Sequence, residues 1–166
     1  MLEDLTVRKA VEFAVQTESL GNLFYDRLAE KFKKDEGIQE IFARLAEDEV
    51  EHEKLFKKLL ASVEKDPRES RREGDHWAYL AVLSRSEFFM GEKGLYRELE
   101  KIKSREDALE RALNFEKSAV AFYQGMRDIL EESEVLDEII AIEKGHVVKL
   151  MEYIITGSKM RGLGVA

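Results

Sequence analysis

The sequence predicts an all-α protein, a four-helix bundle made of two antiparallel helical hairpins joined by a long crossover that contains a short extra helix. Three observations predict it. Four segments carry apolar residues at alternating three- and four-residue steps, the pattern of helices with one buried face. The connections inside each pair of segments are short, whereas residues 65 to 104 separate the pairs. Of 166 residues, 44% are hydrophobic and 37% charged, with ten glycines and a single proline, a balance that suits long helices and not a turn-rich β-sandwich. The length suits one domain, spanning 1–166, around a single core.

The first helix is expected over roughly residues 7 to 34, capped by Thr6, with the stripe Val7, Val11, Ala14, Glu18, Gly21, Tyr25, Leu28 and Phe32. A short turn around Asp35-Glu-Gly37 leads to the second, roughly 37 to 64, with Ile38, Phe42, Leu45, Glu49, His52, Phe56 and Leu59; Asp66-Pro67 stops it. In the crossover, DHWAYLAVLSRSEFFMG reads as the extra helix. Ser104-Arg-Glu-Asp107 resembles a capping box opening the third main helix, roughly 105 to 130, with Leu109, Ala112, Glu116, Ala119, Tyr123, Met126 and Leu130. Ser133 followed by Glu134 suits the start of the fourth, roughly 134 to 156, with Leu136, Ile139, Glu143, His146, Leu150 and Tyr153, and Gly157 ends it.

Composition also excludes chemistries. With no cysteine, the chain carries no disulfide, Fe–S cluster, thiolate zinc site or four-cysteine iron module. A formal charge of −8 argues against a nucleic-acid partner held by bulk electrostatics. No apolar run reaches the length needed to span a membrane, and the N-terminal MLEDLTVRKAVEF lacks the apolar core of a secretory leader, so a cytoplasmic protein is expected.

The chain repeats itself. Glu18, Gly21, Phe24 and Tyr25 correspond to Glu116, Ala119, Phe122 and Tyr123, and the second and fourth helices share Glu-x-x-His. Two copies of a hairpin joined by one long crossover is the connectivity of a ferritin-like bundle.

All four stripes carry a carboxylate on the face meant for the core, where an unpaired ion is costly. Two of them add a histidine one turn later, which puts Glu49 with His52 and Glu143 with His146 on one helical face. Counting from Asp35, Glu18 lies 17 residues before and Glu49 and His52 lie 14 and 17 after. Counting from Glu131, Glu116 lies 15 before and Glu143 and His146 lie 12 and 15 after. At about 1.5 Å per residue, the six side chains share one layer of the bundle. Four carboxylates and two imidazoles can neutralise two divalent cations, and the set matches the di-iron or di-manganese carboxylate pattern. Two iron ions are the expected cofactor, with manganese as the alternative.

Neighbouring groups read differently. Glu47, Asp48, Glu51 and Glu53 fall off the stripe and are expected in solvent. His76 reads as a surface or loop residue, and the absence of His-Glu-x-x-His removes the zinc-protease reading. Tyr25 and Tyr123, two turns beyond Glu18 and Glu116, are candidate catalytic residues that either hydrogen-bond ligand carboxylates and donate a proton or electron, or fill the core. Gly21 and Ala119 either leave space for a small oxidant or serve close helix packing. Trp77, Phe88 and Phe89 are expected to cover the bundle or a dimer interface.

Glu18 with Tyr25, Glu49-Val-Glu-His52, the crossover, Glu116 with Tyr123, and Glu143-Lys-Gly-His146 together resemble the rubrerythrin-like branch of the ferritin-like superfamily over nearly the whole chain. The resemblance implies a non-haem di-iron oxidoreductase that reduces hydrogen peroxide or reacts with dioxygen, commonly as a homodimer. It also implies Glu49 and Glu116 as bridging carboxylates, with Glu18, Glu143, His52 and His146 terminal. Rubrerythrins proper carry a C-terminal rubredoxin domain; this chain ends in SKMRGLGVA, so the expected electron donor is a separate protein such as a rubredoxin, or a small reductant. They also carry an additional Glu one turn after the third-helix ligand, where this chain has Ala119, which brings the set closer to the six-ligand bacterioferritin type. The second function the sequence allows is ferrous-iron oxidation and sequestration, and a third is a helical scaffold with an incidental metal site.

Overall fold

The computed structural model describes residues 7–62, 91–130 and 134–156. Among the described residues the chain forms five helices: α1 (Val7–Lys31), α2 (Glu36–Ser62), α3 (Gly91–Lys101), α4 (Arg105–Leu130) and α5 (Glu134–Thr156). Helix α1 packs along α2, and α4 along α5; contacts of α1 with α4 and of α2 with α5 join the two hairpins, and α3 rests on α1. The architecture is the expected ferritin-like bundle.

Local chemistry sets the helix ends. Helix α1 stops at Lys31, short of the expected residue 34, because the chain turns through bonds from Lys33 N to Glu30 O (3.4 Å) and Asp35 N to Phe32 O (2.8 Å). Asp35 then caps α2: its Oδ1 accepts from Ile38 N at 3.3 Å and its carbonyl from Gln39 N at 2.8 Å. The expected capping box opens α4, with Asp107 N donating to Ser104 Oγ and Ser104 N to Asp107 Oδ2, both at 3.0 Å. The expected signals Thr6, Asp66-Pro67, Ser133 and Gly157 lie outside the described residues, as do His76, Trp77, Phe88, Phe89 and, apart from Gly91, the segment read as the extra helix.

The described crossover helix lies further along, at α3. It opens on Gly91, whose φ of +73° is left-handed and therefore favours glycine. Leu95 buries its inner side, Ile102 is buried just past its end, and Glu98, also buried, pairs with Arg111 of α4 at 2.8 Å and with Lys101 at 2.5 Å. Lys31 of α1 closes the end of α3 by donating to the carbonyls of Leu99 (3.2 Å) and Ile102 (2.7 Å).

Where their side chains are described, the stripes point inward as expected, and they divide the core in two. One apolar cluster holds Tyr25 and Leu28 of α1, Ile38 and Phe42 of α2, Leu109 and Ala112 of α4, and Leu150 and Tyr153 of α5. The other holds Val11 and Ala14, Phe56, Tyr123 and Met126, and Leu136 and Ile139. Every one of the four long helices passes from one cluster to the other at its stripe glutamate. The acids therefore occupy a single layer between two apolar slabs, each large side chain of which contributes about 1.5–3 kcal/mol by burial. Phe32 and Leu59, at the stripe ends, are only partly buried. No helix among the described residues is long and apolar enough to cross a membrane.

Candidate metal centre

Glu18, Glu49, His52, Glu116, Glu143 and His146 are each no more than 2% exposed. The structure brings all six together in two overlapping groups: Glu18, Glu49, His52 and Glu143 in one, and Glu49, Glu116, Glu143 and His146 in the other. Within a group, one donor atom per residue lies within 4.8 Å of every other. Glu49 and Glu143 belong to both groups. The resemblance implied Glu49 and Glu116 as the shared pair; the geometry puts Glu143 in place of Glu116, because Glu143 on α5 lies between the two imidazoles. Its Oε1 is 2.7 Å from His52 Nδ1 and its Oε2 is 3.4 Å from His146 Nδ1. The imidazoles face one another in a near-parallel arrangement, 5.7 Å apart.

The remaining contacts follow the internal repeat. His52 Nδ1 is 3.2 Å from Glu18 Oε2, and His146 Nδ1 is 3.5 Å from Glu116 Oε2. Tyr25 of α1 donates to Glu116 Oε1 of α4 at 2.5 Å, and Tyr123 of α4 donates to Glu18 Oε1 of α1. Both tyrosines are fully buried and act as hydrogen-bond donors to the cluster as well as core.

Gly21 serves close packing. A Cβ there would come within 3.0 Å of the Glu49 carboxylate and 3.1 Å of the Phe115 ring, so the bare backbone leaves room for Glu49, not for an open channel. Ala119, at the matching position of α4, is also buried.

One residue at the site was expected elsewhere. Asp48 falls one position off the α2 stripe and its carboxylate is 43% exposed, in keeping with the solvent expected for it, yet its Oδ2 lies 3.0 Å from His146 Nε2. The outward ring nitrogen of His146 thereby has a carboxylate partner, which leaves Nδ1 for the centre of the bundle. Of the other three acids set aside, Glu51 and Glu53 pair with Lys54 and Lys57.

Electrostatics show a cluster that holds protons. Burial, reinforced by the Glu143 charge, pushes Glu116 up to about 8, and burial together with neighbouring acids raises Glu18 and Glu49 well above the usual carboxylate range. For His146, burial opposes the charge, but the bond to Asp48 and the nearby carboxylates of Glu116 and Glu143 overcome it and raise the imidazole to about 12. His52 is raised as well, against burial, through Glu143. Glu143 moves the other way: the two imidazoles beside it outweigh burial and hold it ionised. Burial beside Glu116 pushes the Tyr25 hydroxyl up, so it remains a proton donor.

Protons alone leave the cluster incompletely satisfied. Glu49 Oε1, Glu116 Oε2, both oxygens of Glu143 and Nδ1 of His146 are buried without a well-directed hydrogen bond. Buried polar atoms that converge unsatisfied from three helices are costly unless a cation sits among them. The residues present therefore fit a pair of divalent cations, with Glu49 and Glu143 common to both positions.

A ferritin-like carboxylate bundle is the class that this fold and donor set define. A crystal structure from Thermotoga maritima, described as a ferritin-like diiron-carboxylate protein, superposes with a TM-score of 0.71 at 26% identity, covering 93% of this chain and 97% of that one. The rubrerythrin family profile matches residues 9–105, more than half of the chain, and the protein belongs to the rubrerythrin family. No curated protein matches the sequence.

Proposed function

We propose that the protein is a non-haem di-iron oxidoreductase that reduces hydrogen peroxide, or dioxygen, with electrons from a separate donor such as a rubredoxin. The observation that carries this reading is the pair of buried donor groups sharing Glu49 and Glu143. Manganese would fit the same donors. Two irons held there would supply two one-electron couples, which matches the two electrons and two protons needed to turn one peroxide into two waters.

The chain's own residues supply the setting. Glu18 and His52 would hold one ion and Glu116 and His146 the other. Tyr25 and Tyr123 fix Glu116 and Glu18 by hydrogen bonds and place a phenolic proton at the edge of each half. Phe24, Phe56, Phe115 and Phe122 are buried above and below the layer and keep bulk water out. In this proposal the chain works as a cytoplasmic homodimer.

A second reading, ferrous-iron oxidation and sequestration, is favoured by one observation: Ala119 places a methyl group where the rubrerythrin pattern has a further acid. The two separate in one experiment. Anaerobically reduced, iron-loaded protein is mixed with peroxide or with dioxygen, and the reoxidation rate and the iron retained per chain are followed. Peroxide reoxidation outpacing dioxygen, with turnover when a reductant is supplied, supports the peroxidase. Retention of many irons per chain overturns it in favour of storage.

A further inference from the structure

The four carboxylates, two imidazoles and two tyrosines of the cluster are matched between its halves, but Asp48 is not. Glu18, His52 and Tyr123 on one side answer Glu116, His146 and Tyr25 on the other, and the crossed tyrosine bonds repeat the same pattern. Asp48, immediately before Glu49, has as its counterpart Ile142, immediately before Glu143. Only the hairpin that contributes Asp48 can therefore offer a carboxylate from that position to the histidine of the other. That carboxylate lies 3.0 Å from His146 Nε2.

Such a carboxylate acts on a metal position through its histidine. It holds the ring in one orientation, here with Nδ1 toward Glu116 and Glu143, and fixes the tautomer in which Nε2 carries the proton. It also increases the donor strength of the ligating nitrogen. Ile142 can do none of this for His52.

Resting on the di-metal reading above, we propose that Asp48 is a positioning residue that makes the two metal positions unequal, so that the His146–Glu116 half binds a divalent cation more tightly and fills before the His52–Glu18 half.

The test is a titration of the full-length, chelator-stripped protein with Co²⁺ in the absence of oxygen, following absorbance and heat. Wild-type protein should bind two ions in two resolved steps. Repulsion between the ions also separates the steps, so the assignment comes from variants. Asp48→Ala should weaken the tighter step by about 10- to 100-fold, with Asp48→Asn, which keeps the shape but not the charge, in between. Glu18→Gln should weaken the looser step and leave the tighter one in place. Asp48 lies at the surface of α2, 43% exposed, so its replacement leaves the core untouched. Two equal constants in the wild type, or a tighter step unchanged by Asp48→Ala, overturns the inference alone. A wild-type chain that binds no Co²⁺ overturns the di-metal reading with it.

Discussion

Tyr25 of α1 donates its hydroxyl to Glu116 of α4 at 2.5 Å, across the junction between the two hairpins. Its counterpart Tyr123 does the same in reverse, to Glu18. Each hairpin thus supports a carboxylate that belongs to the other, and the bundle cannot separate along this junction without breaking both bonds. The buried layer is at once the polar interruption of the core and a link between its halves.

Replacing Tyr25 by Phe should keep the core filled but remove one donor from Glu116. Leaving the buried Glu116 oxygen without its donor costs about 1–3 kcal/mol, so thermal unfolding should shift downward by a corresponding amount. Metal affinity should fall along with it, by about tenfold or more. Equilibrium denaturation and a metal titration on the same preparation measure both.

Glu116 and Glu143 differ in what their loss removes. Glu116 belongs to one donor group and Glu143 to both, so Glu116→Gln should lower metal content toward one ion per chain, while Glu143→Gln should lower both positions together. Elemental analysis of the two variants checks this. A scaffold with an incidental site would show no difference between them.

Glycine replacements should have opposite signs at two positions. At Gly21 a methyl group meets Glu49 and Phe115 at 3.0–3.1 Å, and Gly21→Ala should cost about 1–3 kcal/mol while displacing a carboxylate common to both donor groups. At Gly145, where a Cβ meets nothing within 4 Å, Gly145→Ala should stabilise α5 by about 0.4–1 kcal/mol. Chemical denaturation of the pair gives the comparison.

The metal-free protein should lose stability as pH rises. Glu116, ordinarily near 4.5, holds its proton up to about 8 when folded, and His146, ordinarily near 6.5, holds its proton up to about 12. Between pH 5 and 8 the folded state therefore binds more protons than the unfolded state. The stability present at the low end is lost progressively toward the high end. Glu143, held low, is ionised in the folded state throughout this window and nearly so in the unfolded state, so it adds only a slight opposing slope close to pH 5. Cation binding requires the same protons to leave, so the stabilisation given by metal should grow with pH over that range. Melting temperatures with and without Mn²⁺ at pH 5, 6, 7 and 8 should diverge.

Much of this was readable in the residue pattern because Glu18, Glu49, Glu116 and Glu143, with His52 and His146, are the charged or titratable interruptions of otherwise mainly apolar stripes. The short turns and the Glu-x-x-His repeat supplied the rest of the bundle. Asp48 was missed because one residue along a helix is a turn of about 100°, and stripe counting sees only side chains that point at the core. What makes Asp48 part of the site is the distance from α2 to α5, a tertiary relation. The sharing of Glu143 between the two groups likewise depends on where four helices bring their side chains. Helix α3 escaped notice because its few buried residues include Glu98, whose burial is sustained by Arg111 and Lys101 and not by an apolar stripe.

Metal content of protein purified without oxygen decides whether the buried acid layer is a cation site. Two ions of iron or manganese per chain are expected, lost on chelation and regained on readdition. A folded chain that takes up neither metal under those conditions would contradict the assignment of all six side chains.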